Sequence, residues 1–564
     1  MRIKIGIGAL FLLLLFVFWA FVYPNHILFV ERTSLFLYTS HFWKEFALQP
    51  GGWSAYCGNF LAQFYITRWA GALIQTLLAF ALIVFSTRIL QKTGVLKSGF
   101  IWIGLILAML LTAMQFDNRF TPGDSLALIT PFALTLLYMN LPHVFARRLL
   151  FALATVPVFL FSGAAATICL YAMCILYEIF FAKDAWKNRT PAWLVAVIFL
   201  PFVWKTIYLT TDDGLFDILS FSLIDDIKYV PKIFLSLMPL CLLTTGIICR
   251  SRLTVKVYGE LFLILVWIGC GYYLFSKSFN QLEEQKFGMN YAIGQKDWDR
   301  VLKISKQVKK PDRQTAHLTN LALAMKGELP QKMFRYSQTD EHGLLLLRKT
   351  EFNLRYGADF YYHIDILNEA IRWIFDANII YGKGMDYHTL THLAVWNKEA
   401  GYATTAEKYF DILEETLMYR SWAKRQRIAP SPERKESSVE PVEFYIGERE
   451  IFPDMVFHYN NNPNNPLTLD YLLCYLLLKQ DPEKFLNVFN ACYQPSHKEL
   501  PQAYQEALLY IADMGKIDIE NYPISQVNML RYQSFCYAVS KGNEADIKKK
   551  FSDTWWYYSC KISK

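Results

Sequence analysis

None of the ten cysteines stands in CxxC spacing, and Cys169, Cys174, Cys241, Cys249 and Cys270 fall in or beside apolar runs. Neither a zinc site nor a disulfide framework is indicated by such a distribution. The chain also lacks a phosphate-binding loop, a dinucleotide fingerprint, a GxSxG elbow and a Cys/His nucleophile pattern, so common nucleotide-dependent and hydrolytic chemistries have no motif to rest on. A net charge of +8 over 564 residues is modest. Loops at one membrane face account for most of it, so no nucleic-acid partner is expected.

Apolar length is what the chain has in excess. Hydrophobic residues make up 54% of it, and the mean hydropathy is +0.19. The long runs are confined to residues 1–276, and the remainder reads as a polar helical domain. Two domains are therefore expected, a membrane domain over 1–276 and a soluble one over 277–564. Nine candidate spans are read at 5–23, 70–87, 100–114, 125–139, 149–161, 164–181, 192–209, 233–248 and 258–274. The first sits behind Arg2 and Lys4 like a signal peptide, but no small-x-small cleavage pattern follows, so it reads as an uncleaved span. The pair at 149–181 is read as a short hairpin, because Pro157 and Ser162-Gly163 interrupt it.

Loop charge orients these spans. With the N-terminus inside, the inside loops hold Arg2, Lys4, Arg88, Lys92, Lys97, Arg147, Arg148, Lys183, Lys187, Arg189, Arg250, Arg252 and Lys256, with Asp184 as their one acid. The outside loops hold Glu31, Glu45, Asp117, Asp124 and five aspartates between residues 210 and 232. That split predicts a multi-pass inner-membrane protein, N-terminus cytoplasmic and C-terminal domain periplasmic in a bacterium.

The C-terminal part shows helix pairs joined by short polar turns, for example around Glu399-Ala-Gly-Tyr and Gly542-Asn-Glu-Ala. The pattern resembles tetratricopeptide-like repeats. The fold class expected is thus all-α: a membrane helix bundle of about nine spans, then a soluble α-solenoid. His388 and His392, four apart on one helix face, lack the glutamate of an HExxH and a third ligand, and no metal site is assigned to them.

The stretch 24–68 between the first two spans draws most attention. It is aromatic yet carries Glu31, Arg32, Lys44, Glu45 and Arg68. From Glu31 to Arg68 it reads as two amphipathic helices broken at Gln49, Pro50, Gly51 and Gly52. The acid, the broken amphipathic pair and the Arg-Trp-Ala-Gly entry to span two resemble the first outer loop of the GT-C glycosyltransferases. Asn118-Arg-Phe-Thr-Pro-Gly-Asp124 is similar to their second outer loop, and the hairpin at 149–181 to their short fifth and sixth spans. Glu stands where Asp is commoner, and no Lys-Gly-Pro marks the hairpin turn. The whole chain also resembles an uncharacterised family of bacterial multi-span proteins with helical-repeat tails.

The resemblance implies a transferase acting on polyprenyl-phosphate sugars. Glu31 and Asp124 would be its catalytic pair, Glu31 as general base and Asp124 positioning acceptor or metal. Arg119 would contact the phosphate, with Asp117 a nearby spare and Arg32 a reserve cation. Membrane lipid and a protein bound to the helical-repeat domain are the other expected partners, and no cofactor is read. The alternative reading is a non-catalytic membrane-tethered scaffold.

Overall fold

The computed structural model describes residues 2–93, 100–181, 230–251, 258–346, 350–381, 385–430, 451–461, 463, 465–493, 500–542 and 544–562. It is all-α, with no strand among the described residues. The chain divides into two compact units. The first is Met1–Gln281 with Ile412–Trp422, and the second is Leu282–Asp411 with Ala423–Lys564. The short piece Ile412–Trp422 thus packs with the N-terminal unit, although sequence reading gave it to the C-terminal domain.

In the first unit the apolar runs become α1 (Arg2–Val17), α5 (Arg68–Lys92), α6 (Phe100–Gln115), α7 (Pro122–Asn140), α8 (Val144–Phe180), α9 (Val230–Ser251) and α10 (Tyr258–Ser278). Between α1 and α5 lie three short helices, α2 (Pro24–Arg32), α3 (Ser40–Ala47) and α4 (Gly52–Ala62). α3 and α4 are the two helices expected over 31–68, and α2, opened by Pro24 at its first position, precedes them. α2 bends 71° from the helix before it. The expected break is present: Leu48 caps α3, and Gly51, at φ 73°, precedes α4.

Among the described residues, three helices are long and apolar enough to cross a membrane, α8 being counted as one, or up to five if each bent pair counts as one span. The expected number of about nine is not reached, for identifiable reasons. Phe100–Gln115 has only 16 residues. The run at 192–209 and the aspartate-rich loop after it lie outside the described residues. α8, continuous by hydrogen bonding, is two arms. Tyr171 Oη donates to Thr155 Oγ1 at 2.9 Å across 16 residues, and Arg147 Nη1 to Glu178 Oε1 at 2.9 Å across 31. In a straight helix those pairs would stand about 24 and 46 Å apart. The chain instead folds back at Gly163 (φ 73°, ψ −179°), so 144–162 and 164–180 form the hairpin expected from the sequence.

Leucines and phenylalanines on α1, α5, α8, α9 and α10 face outward, for instance Leu13, Leu77, Leu153, Leu240 and Leu265, each at least half exposed. α6 is sheathed by its neighbours, with Leu105, Leu107 and Leu111 fully buried. Hydroxyls in these helices bond their own backbone, as Ser86 does to Leu82 O and Thr135 to Pro131 O, which keeps polar atoms satisfied where no water is available. One charged network is buried at the open end of the hairpin. Arg147 pairs with Glu178, Tyr138 Oη donates to the same carboxylate oxygen at 2.9 Å, and Arg147 Nε donates to Leu141 O at 2.8 Å.

The second unit is built of helix pairs. Each turn between partners places one residue in the left-handed region, at Lys296, Gly327, Asp365, Gly401, Gln480, Gly515 and Gly542. Side-chain caps from Asp297, Asp312, Thr350, Asp386, Asp481 and Ser525 open many of these helices. An open solenoid, in which each repeat touches only its neighbours, does not describe the packing. Gln331 and Arg335 bond Gln502 across 171 and 167 residues, and Phe360 packs its ring on Tyr471 at 4.9 Å. The organiser is Pro466–Leu478, whose Leu472, Leu473, Leu476, Leu477 and Leu478 are at most 3% exposed. Each such leucine contributes up to about 2 kcal/mol, so neighbouring helices close around this one.

Glu506 lies in that core. Burial pushes its carboxyl up to about 7, against the hydrogen bonds from the Trp555 N–H and Gln502 that favour the anion. A raised acid stabilises the fold fully below its unfolded value near 4.5, and the contribution is lost as pH rises through 7. Hydrogen-exchange protection of Trp555–Ile562 in the full chain, corrected for intrinsic rates, is therefore expected to fall between pH 5 and 8. Glu506→Gln should flatten that dependence. For the ion pair, Arg147→Met should lower stability by roughly 3–5 kcal/mol, because it strands a buried carboxylate, whereas Arg147→Met with Glu178→Leu should cost much less. Denaturant midpoints of the detergent-solubilised chain measure both.

Candidate functional site

The candidate residues gather at the end of the first unit that carries the 24–68 loop. Trp53 Nε1 donates to Ala47 O at 2.9 Å and closes α3 on α4. Phe36, Phe42, Phe46 and Tyr56 then pack edge to face. Two glycine contacts seat this loop. Gly51 N–H donates to Phe159 O at 3.3 Å, and a Cβ on Gly51 would lie 3.7 Å from Gly163 N. The Pro-Gly break thus rests on the apex of the hairpin. A Cβ on Gly58 would fall 2.2 Å from Gly123 N, so α4 meets the start of α7 backbone to backbone.

Glu31 ends α2 and is buried, 2% exposed. Its Oε1 accepts the Tyr419 phenol at 3.0 Å. Its carbonyl is taken by the Ser34 N–H at 3.0 Å and the Ser34 hydroxyl at 2.8 Å. Tyr419 belongs to Ile412–Trp422, and the Tyr38 N–H donates to Glu415 O at 3.1 Å to hold this segment. A solvated interfacial charge is therefore the wrong description of Glu31. Arg32 follows it, half-buried.

Asp117 is also buried, 3% exposed, in the turn after α6. It chelates Arg119: Nε donates to Oδ1 at 3.1 Å, Nη2 to Oδ2 at 3.0 Å, and the Arg119 N–H to Oδ1 at 3.0 Å. The guanidinium is half-exposed and its charge is matched by this carboxylate. His26, fully buried between Trp19 and Tyr23, lies within electrostatic range of Asp117. Asp124 has a local task. Its Oδ2 accepts the Thr121 N–H and hydroxyl, both at 2.8 Å, while Thr121 Oγ1 accepts the Asp124 N–H. This is a reciprocal capping box at the N-terminus of α7.

The structure thus joins Asp117 to Arg119, and gives Glu31 and Asp124 separate partners on separate elements. Sequence reasoning missed Tyr419, which stands 388 residues from Glu31 and carries no motif. It also missed His26, whose only signal was a histidine directly behind a span. Thr121-Pro-Gly-Asp124 could have been read as a cap.

Other features settle into ordinary roles. Arg68 lies over Trp69 and Phe21 at 5.1 and 5.9 Å, as a snorkelling cation does. His392 Nδ1 is 2.6 Å from His388 O, and no group of three or more His, Cys, Asp or Glu among the described residues is arranged for a metal. A cleft lined by Leu134, Phe151, Val158 and Leu170 is apolar, contains none of the candidate residues, and its Thr155 and Tyr171 hydroxyls bond each other.

Fold and site together define an all-helical protein with helices long and apolar enough to span a membrane, and with two buried carboxylates, Glu31 and Asp117, at one end of its apolar bundle. The chain belongs to DUF6057, a family of unknown function, whose model matches residues 1–561. No curated protein and no solved structure matches it. The Gly58–Gly123 approach predicts that Gly58→Leu separates α4 from α7. Cross-linking of cysteines placed at Ala55 and Pro122 should then drop several-fold against the same pair on a wild-type background.

Proposed function

We propose that this protein is a polytopic inner-membrane transferase that moves a sugar from a polyprenyl-phosphate donor to an acceptor in the cell envelope. In this reading the protein is multi-pass, its N-terminus is cytoplasmic, and the 24–68 loop and the C-terminal domain face the periplasm. The bias of lysine and arginine toward the opposite loops supports that orientation. The observation that carries the proposal is Glu31 itself. A carboxylate at 2% exposure, hydrogen-bonded to the Tyr419 phenol, is costly to keep unless it has a use.

As general base, Glu31 takes the proton of the acceptor hydroxyl while that oxygen bonds to the anomeric carbon. The bond from that carbon to the donor's phosphate oxygen breaks, and its electron pair leaves with the lipid phosphate. Arg32, adjacent to Glu31, and Arg119 supply positive charge for the leaving group. Asp124 is dropped from the reacting set, since its carboxylate caps α7.

A specific observation favours a second reading, a non-catalytic scaffold. Asp124 is a cap and Arg119 is held by Asp117, so part of the predicted reacting set has structural work. The helix pairs of the second unit would then carry the function by binding envelope proteins. Glu31→Gln separates the two. A transferase is expected to lose 10²- to 10⁴-fold in transfer rate at unchanged expression and unfolding midpoint. A scaffold keeps its cellular function in that variant.

A further inference from the structure

One helix pair of the second unit, Gln526–Ser540 and Glu544–Phe551, presents a surface with no role in either reading. Its first helix is apolar on two sides. Tyr532, Phe535 and Ala538, three apart, are buried against the core. Val527, Leu530 and Tyr537, at three- and seven-residue spacing, form an outer stripe and are 73, 58 and 62% exposed. A surface helix ordinarily turns polar side chains to solvent on that side, so the stripe marks an interaction surface. The charge around it is of one sign. Residues 526–564 hold seven lysines and arginines against three acids, an excess equal to half of the chain's net charge of +8. Lys541, Lys548, Lys549 and Lys550 are all exposed. Lys541 Nζ lies 4.6 Å from the centre of the Tyr537 ring. Lys550 bonds Asp546 at 3.1 Å, an exposed pair of the weak kind. The second helix is fixed alongside the first. The Phe535 and Phe551 rings meet edge to face at 5.4 Å, and Arg531 Nη2 donates to Lys550 O at 3.2 Å. The end of the lysine run is thereby set beside the turn that carries Leu530.

We propose that this helix pair docks on an anionic phospholipid surface. The Val527–Leu530–Tyr537 stripe enters the boundary between headgroups and acyl chains, and the lysines lie against the lipid phosphates. Exposed large apolar side chains flanked by lysines are the combination that holds a helix in the plane of a membrane surface. The apolar stripe supplies buried area, and each lysine near an anionic leaflet strengthens partitioning roughly fivefold. Tyr537 suits such a boundary, with an apolar ring and a polar tip. A second copy of the chain fits less well, because pairing two such stripes brings two lysine runs together. The inference belongs to the second unit alone and stands whether or not Glu31 is catalytic.

The test places a photoreactive benzophenone side chain at position 537 of the full chain, reconstituted in vesicles of phosphatidylglycerol and phosphatidylcholine. Adducts are read by mass spectrometry after illumination. A phospholipid adduct is expected at this position, and several-fold less when the same group replaces Asn487, exposed on the helix Pro482–Cys492. Lys548→Glu, Lys549→Glu and Lys550→Glu combined leave the Phe535–Phe551 contact in place and should lower the adduct at 537 about tenfold. Omitting phosphatidylglycerol should also lower it several-fold. So should raising salt from about 0.1 to 1 M, over which the screening length falls from roughly 10 to 3 Å. The inference is overturned by the absence of a lipid adduct at 537, by equal yields at 537 and 487, or by a yield indifferent to the lysines, the salt and the anionic lipid. A cross-link from 537 to a second copy of the chain in place of lipid overturns it too, and assigns the stripe to a protein interface.

Discussion

The turn at Gly163 is the constraint on which the loop-bearing end of the first unit depends. A φ of 73° with an extended ψ is open to glycine and closed to nearly every other residue. It lets 144–162 and 164–180 run antiparallel, and it leaves an apex small enough for Gly51 to rest on, with the Gly51 N–H bonded to Phe159 O. Because the Pro-Gly break is seated there, α3 and α4 are held on either side of it. The Gly58–Gly123 approach then sets the start of α7 against α4.

That seating gives the buried acids their setting. Two carboxylates with little access to solvent, Glu31 and Asp117, are each satisfied by a partner of the right type, a phenol and a guanidinium. Removing such groups from water is unfavourable by several kcal/mol apiece, and the partners offset that cost.

Much of the fold was legible in the sequence because the signals are local. The apolar runs at 70–87, 100–114, 125–139, 233–248 and 258–274 became helices, and Pro50 with Gly51 ended one helix and began another. The hairpin was legible from Pro157 and Ser162-Gly163, since a break inside an apolar run leaves few alternatives. The membrane count was not, because helix length and composition alone pass three helices, or up to five with bent pairs. The closed second unit was not legible either. Its helix pairs and caps look alike whether they stack in a line or wrap around a centre. Only the leucine-rich Pro466–Leu478 distinguishes the two, and its role depends on partners such as Phe360, more than a hundred residues from Tyr471. The site was half legible for the same reason. Glu31 could be singled out from its place behind a span, whereas Tyr419 carries no mark that ties it to that acid.

Where a donor binds decides between a transferase and a scaffold, and the most direct measurement is the structure of the full chain with a polyprenyl-phosphate sugar bound. The account predicts the phosphate beside Arg32 or the outer edge of Arg119, with the anomeric carbon on the Glu31 side and Tyr419 still bonded to that carboxylate. A donor bound elsewhere in the bundle, with Glu31 and Tyr419 sealed away from it, would contradict the account.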